Sequence, residues 1–523
     1  MNHPHPYPHF THNMPKSIPT KSLTIPQPDI ICQTSKSQPT PNFNFMSGLE
    51  DLRRFPKAQA VRPGFEPQCL RQKAYDHRKQ LYAMLTASLP SANLHSLIHN
   101  KDPSTERFTP AHPPSYPPAQ STSHLLTFLT PSSTKTDHLP NPPKPPLDLS
   151  STRFGSFGGQ FAPELQIEAL HSLASTFQST ITTDSFWQTY HAHTPFCPTP
   201  LHLAKNLTHR ATGATIWLKR EDRNPYRSHR ARSIVGQILF AKRLGRREIV
   251  TDCGSACHGI ACAGLCAQLG LKCTVYMGVD DAARQCAGVL EMQQLGADVV
   301  PVETGAGCRT LKAAVNSAIA HSLEDQEGVY YVMGGPIGAH PFPVINRTFQ
   351  AGVGEEVKVQ LARVMGREED GLPDALVSPL GVGAAATGLF GAFAAEKGVR
   401  MVGVEAEGAA PLSGGSVGVL HGCRTMVLQD EDGQIESTQA MSPDMNFPSV
   451  GPELAHWKGM QRVEVSAASD EEALEGVRIL AEEEDVVAGL STGYAVAETM
   501  RLARELGPGQ NVVLLVTGKD DVH

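Results

Sequence analysis

Residues 218–237 read LKREDRNPYRSHRARSIVGQ, and the order of chemistry in that stretch predicts the architecture. The run Ile216–Lys219 reads as a strand end, the charged and Pro-containing residues after it as a loop, and the rest as an amphipathic helix opening near His229. Outward from this unit the alternation recurs. Short β-branched or apolar runs mark strands at Thr215–Lys219, Glu248–Asp252, Cys273–Met277, Asp298–Val302, Val329–Met333, Ala375–Leu380, Met401–Glu405 and Val512–Val516. Helix-length segments lie between them, several closed by a glycine suited to a C′ cap: Gly245, Gly270, Gly296 and Gly398. The pattern predicts an α/β fold of parallel sheets covered on both faces, arranged as two lobes with a cleft between them. Open α/β sheets bind ligands at the carboxyl ends of their strands, so chemistry is expected in the loops after Lys219, Asp252, Leu380, Glu405 and Val516.

Of the 41 prolines, 25 fall in residues 1–150, which places the start of the folded part near Leu147 and divides the chain into 1–150 and 151–523. Residues 1 to about 46 hold too few large apolar groups to offset ordering entropy and are expected to be disordered. Within 69–89, Leu70, Tyr75, Leu81, Leu85 and Leu89 sit at roughly helical spacing. Residues 103–146 return to a Pro-rich spacer ending in LPNPPKPPLDL. From Ser151 the Gly-rich RFGSFGGQFAPE leads into a helical stretch through Phe177.

Net charge is −7 with a pI near 6.3, and no block of Lys and Arg interleaved with aromatics marks a nucleic-acid surface. No apolar run is long enough to span a bilayer, which takes about 18 residues, and the N-terminus lacks a secretory signal. The first arginine is Arg53 and prolines recur every few residues before it, against a mitochondrial transit helix. A cytoplasmic location is expected. Six of the 11 cysteines, at 253, 257, 262, 266, 273 and 286, have spacings of neither a zinc site nor a disulfide framework. They are expected to pack as reduced thiols, with metal binding the lesser alternative.

The elements GGQFAPE (158–164), PTPL (198–201), LKRED (218–222), YMG (276–278), GSVGVLHG (415–422), GPELAHW (451–457) and DEEAL (470–474) form one set. Residues 153–523 thereby resemble the tryptophan synthase β chain, in its fungal form. That resemblance implies a fold-type-II pyridoxal phosphate (PLP) enzyme: two Rossmann-like three-layer lobes, PLP in the cleft, a homodimer, and replacement of the serine hydroxyl by indole. Fungal versions carry an α chain, an eight-fold barrel that releases indole, ahead of the β chain. Such a barrel needs about 250 residues, and the Pro-rich stretch in its place is not expected to supply one. The α chain stays open as a separate partner.

The resemblance also locates a departure. The family's PLP lysine directly follows the histidine of this loop, and here that position is Arg230. An imine needs an amine that can lose its proton, which a guanidinium with a pKa above about 12 cannot supply. No lysine lies between Lys219, which matches LKRED, and Lys242. Arg223, Arg227 and Arg232 add further cations, read either as a solvated face or, with Arg230, as an anion clamp.

Other family site elements are changed together. The phosphate cup GGGSN is Gly381-Val382-Gly383-Ala384-Ala385, which keeps the backbone of Gly381 and Gly383 but neither side-chain donor. Thr517 keeps a hydroxyl where the family has the serine that meets the pyridine nitrogen, Glu405 keeps the carboxylate near the ring, and His229 keeps the imidazole beside the phosphate. These three preserve a PLP-shaped pocket or persist as fold-supporting hydrogen bonds. The carboxylate-binding loop AETGAGQHG is TDCGSACHG, so Cys253, Gly254, Ser255, Ala256, Cys257 and His258 would bind substrate through their amides. The glutamate that engages the indole N–H is Asp252, shorter by one methylene. Cys253 and Cys257 are packing residues or, at a helix start, activated thiols. Arg284 is kept for closure, but its family partner in GLDFPSVGPE is Asn446 here, and ALESSHA has become the stretch from Gly489 to Ala495. About ten family residues are missing after Gly408, and the family's final helix is not expected beyond His523.

Three functions fit. In the first, an enzyme works without a PLP imine, carries no cofactor or PLP without a lysine link, and joins an indole-like ring to a carboxylate or other anionic partner. Asp252 and Arg230 are its catalytic pair. In the second, a non-catalytic paralogue binds a ligand or a tryptophan synthase chain. In the third, the protein has ordinary tryptophan synthase β activity. Coordinated replacement around the site with the core pattern kept favours the first two.

Overall fold

The computed structural model describes residues 151–304, 308–366 and 371–518. The expectations for residues 1–150, including the helix over 69–89, lie outside the described residues. The strands are β1 Arg153–Phe154, β2 Phe157–Gly158, β3 Leu201–Leu203, β4 Thr215–Arg220, β5 Glu248–Cys253, β6 Lys272–Gly278 and β7 Asp298–Val302. They continue as β8 Val329–Val332, β9 Ala375–Pro379, β10 Arg400–Ala406, β11 Ser416–Leu420, β12 Cys423–Val427, β13 Glu464–Ala468 and β14 Asn511–Val516. All eight expected strands form, with ends shifted by no more than one residue. The helices include α1 Glu164–Ile181, α2 Asp184–His193, α3 Ala231–Arg243, α4 Cys257–Leu269, α5 Phe342–Gln350, α6 Ala384–Phe390 and α7 Asp470–Glu484.

One lobe is built on the parallel sheet β7-β6-β5-β8, the other on β13-β10-β9-β14-β4-β3, parallel except for the edge strand β3. Central position follows from composition: in β14 (NVVLLV) every residue from Val512 to Val516 is buried, because helices cover both faces. A small antiparallel sheet, β1-β2-β12-β11, completes the fold. Its short strands, and β13, carry no clear period in the sequence.

Gly245, Gly270 and Gly296 take φ of +75°, +70° and +89° and end their helices as expected. Gly398 does not take a left-handed φ. The chain leaves α6 through the 3₁₀ turn Gly391–Phe393, so no helix reaches Gly398 to be capped. Helix α3 begins at Ala231, two residues after His229, and is buried from Ala231 through Ala241. At Gly236 a Cβ would stand 2.3 Å from the Phe349 ring, so glycine is what lets α3 pack closely on α5. Phe349 continues into an aromatic cluster that docks α1 and α2, with Tyr190 stacked on it at 5.6 Å and Phe177 edge-on at 5.7 Å. Among the described residues no helix is long and apolar enough to cross a membrane.

Candidate active site

The loop between β4 and α3 is held by charge. Lys219 is fully buried, and its Nζ donates to Glu356 Oε2 at 2.6 Å, to the Thr199 carbonyl at 2.8 Å and to Gln360 at 3.0 Å. Arg232 donates to both oxygens of Glu356 at 2.8 Å and to both of Glu221, at 3.0 and 3.2 Å. Two cations and two carboxylates therefore cancel in the core, each with hydrogen bonds that offset its desolvation. Of the extra arginines, Arg223 and Arg227 are exposed, Arg232 belongs to this network, and Arg230 alone reaches the cleft.

Arg230 precedes the first residue of α3 and is 6 % exposed. A cation at the positive end of a helix, out of water, needs a counter-charge. Its Nε donates to the Gly334 carbonyl at 3.0 Å and its Nη1 to Asp444 Oδ2 at 2.7 Å. Burial would pull the guanidinium pKa down, but Asp444 outweighs it and the group stays charged. Burial likewise pushes Asp444 up, and Arg230 more than reverses that, holding it below the usual carboxylate range.

Asp252, the last residue but one of β5, lines the same cavity. Pairing of Thr251 with Val332 sets β8 beside it, and the Tyr331 hydroxyl donates to Asp252 Oδ1 at 2.5 Å. Burial pushes this carboxyl above its ordinary range, against the Tyr331 hydrogen bond and the Arg230 charge. It is thus biased toward its neutral, proton-donating form. The loop that follows contains Ala256 at φ +68°, a strained conformation for a residue with a Cβ, just before α4.

His258 is 4 % exposed; its Nε2 meets the Thr251 hydroxyl at 2.8 Å, and its Nδ1 has no hydrogen-bond partner among the described residues. Burial first, then Arg230, lowers its pKa to about 3, and burial and Arg230 do the same to His229. Both rings are neutral at physiological pH. Arg230 is thus the one charged cation among the described residues that line the cavity, whose apolar wall includes Leu311, Val315, Ile337, Val382 and Phe447. The cavity volume is about 20 Å³, room for about one water molecule.

Cys253 Sγ accepts from the Gly259 amide at 3.2 Å and burial pushes it up to about 12, so it is not an activated nucleophile. Cys257, Cys262, Cys266 and Cys273 are buried and form no disulfide. Among the described residues no group of three or more His, Cys, Asp or Glu is gathered as a metal site would need.

Residues 194–518 match the family described as pyridoxal-phosphate dependent enzyme. The chain belongs to that family. It is also 39 % identical over 379 residues to a protein of Saccharomyces cerevisiae named tryptophan synthase. That match covers 71 % of this chain and 53 % of the yeast protein, so the chain spans about half the length of its curated relative. With the two lobes in view, this is a tryptophan synthase β-like, fold-type-II member of the PLP-dependent enzymes.

The positions singled out on the family pattern divide in two. Arg230, Asp252, Cys253, Gly254 and His258 line the cavity; Ser255, Ala256 and Cys257 continue the loop behind it. The others are engaged elsewhere. His229 Nδ1 meets the Thr517 carbonyl at 3.0 Å, and the Thr517 hydroxyl meets Ser491 at 3.0 Å and Thr492 at 3.1 Å. Glu405 accepts from the amides of Leu412 and Ser413 and from the Ser413 hydroxyl, at 2.7–3.0 Å, closing a turn. Arg284 pairs with Asp281 three residues before it. Gly381 and Gly383 take φ of +47° and +103° at the start of α6, and Val382 between them is the cup residue that lines the cavity. Sequence reasoning missed Asp444 and Tyr331. Asp444 lies two residues before Asn446 in a motif read for its change at 446, and Tyr331 reads as an ordinary strand residue.

Proposed function

We propose that this PLP-family chain is a repurposed enzyme that acts without a lysine imine on an indole-like substrate and an anionic partner. The observation that carries the reading is that Arg230 and Asp252 line one cavity with opposite biases, a fixed cation and a carboxyl held toward its neutral form. The apolar side chains of the wall would pack on a flat ring once the cavity widens, Arg230 suits an anion, and Asp252 is placed to give a proton and take it back.

Lysine-linked PLP does not fit these residues. No lysine is among the described residues that line the cavity. The atom group nearest in role, the Arg230 guanidinium, is tied to Gly334 and Asp444. The cup offers Ala384 and Ala385 in place of side-chain donors, so no step is assigned to the cofactor.

Ordinary tryptophan synthase β activity is the second reading, favoured by the identity with the yeast tryptophan synthase. The experiment that separates them is turnover of indole with small carboxylic acids, L-serine among them, by wild type and Asp252→Ala, with and without added PLP. Product formed without PLP and lost on removing Asp252 supports the proposal. Tryptophan formed only with PLP and serine supports the second reading, and no turnover under any condition favours a binding or regulatory role.

A further inference from the structure

Arg230 is the cleft's cation, yet one of its two outer nitrogens, Nη1, is already taken by a carboxylate of the same chain. The two partners of that pair are not equally fixed. Arg230 keeps a second hydrogen bond, from Nε to the Gly334 carbonyl at 3.0 Å, and its side chain is 7 % exposed. Asp444 lines the cavity and makes the Arg230 contact from a side chain that is 14 % exposed, with the Ser255 hydroxyl its further neighbour. The backbone beneath it is pinned. The Asp444 carbonyl lies 2.4 Å from where a Cβ on Gly381 would stand, the Met441 amide donates to Asp470 at 3.0 Å, and the turn Pro443–Met445 closes through Asn446 to Pro443 at 3.2 Å. Rotation about the Asp444 Cα–Cβ bond would therefore free Arg230 Nη1 with no change in the main chain.

The cavity's size gives that rotation a purpose. With Asp444 on Arg230 about 20 Å³ remains, too little for any ligand larger than a water molecule. We propose that Asp444 stands in for the ligand's own carboxylate, and that a monocarboxylic acid enters by exchanging for it on Arg230. This rests on the proposed use of the cleft and specifies the anionic partner. A singly charged carboxylate reproduces the contact that Asp444 makes and keeps Arg230 neutralised. A doubly charged phosphate would bring an unbalanced negative charge beside Asp252, because His229 and His258 are neutral, and Ala384 and Ala385 give it no side-chain donors.

The test is calorimetric titration of the full-length protein with acetate, indole-3-acetate and inorganic phosphate, for wild type, Asp444→Asn and Asp444→Gly. Removing the internal competitor is expected to tighten both carboxylates by at least about tenfold, the worth of one charged hydrogen bond, with phosphate weaker than acetate throughout. Carboxylate affinities within twofold of wild type in either folded variant, no carboxylate binding at all, or a preference for phosphate would overturn the exchange. Should neither variant fold, a crystal structure of the wild type in saturating acetate decides: acetate on Arg230 Nη1 with Asp444 turned away is expected, and an intact Arg230–Asp444 contact overturns it. Tighter carboxylate binding without turnover would remove the proposed enzyme and leave the exchange. Asp252-dependent turnover unaffected by Asp444 would do the reverse.

Discussion

The Arg230 guanidinium meets the Asp444 carboxylate at 2.7 Å across 214 residues of sequence. The pair joins the start of α3 to the turn Pro443–Met445 and closes the cleft at the carboxyl ends of β5 and β8. Its charges are balanced, while Asp252 beside it is left without a cation of its own and is pushed toward its acid form. The cleft is thus arranged around a fixed positive charge and a carboxyl whose affinity for its proton is raised by burial, a combination suited to holding an anion and moving a proton.

The loop carrying Arg230 depends on the Lys219–Glu221–Arg232–Glu356 network. Arg232→Met leaves Glu221 and Glu356 buried with one remaining cation, and is expected to cost about 3–5 kcal/mol. Urea denaturation measures this. A loss under 1 kcal/mol would mean the network does not hold the loop.

Tyr331→Phe removes the one hydroxyl that favours the charged form of Asp252. The Asp252 pKa is then expected to rise further, moving the basic limb of any Asp252-dependent pH–rate profile to higher pH. The profile of the variant checks this, and a shift to lower pH would contradict the assignment of Tyr331 as a positioning residue.

His258 gives a pH signature in stability. Its folded pKa of about 3 lies below the ordinary 6.5, so as pH falls the unfolded chain takes the proton first. Stability should then drop between pH 6.5 and 3, by up to about 1.4 kcal/mol per pH unit. Glu453, pushed up to about 7 by burial, and Asp281, pushed up to about 6, act the other way: their contributions are present at low pH and lost as pH rises through those values. Comparing wild type with His258→Asn isolates the histidine. The advantage of wild type should shrink as pH falls from 6.5, and a pH-independent difference would contradict a neutral buried ring.

The parallel strands were legible because β-branched runs bounded by turns carry a local signal, and Lys219, Arg230 and Asp252 were found from motif position. Strands β3, β11, β12 and β13 were not, since short or edge strands keep little periodicity. Gly398 misled because a glycine after a helical pattern caps only if the helix reaches it. Asp444 and Tyr331 escaped for a different reason. Each matters through a partner distant in sequence, at 214 and 79 residues, which no local pattern encodes.

The most direct test of an imine-free cleft is to incubate the full-length wild type with PLP, reduce with borohydride and map pyridoxyl-lysine by peptide mass spectrometry. The expected result is no stoichiometric lysine adduct and no imine absorbance. A single lysine modified in proportion to protein, with the matching visible band, would contradict the account.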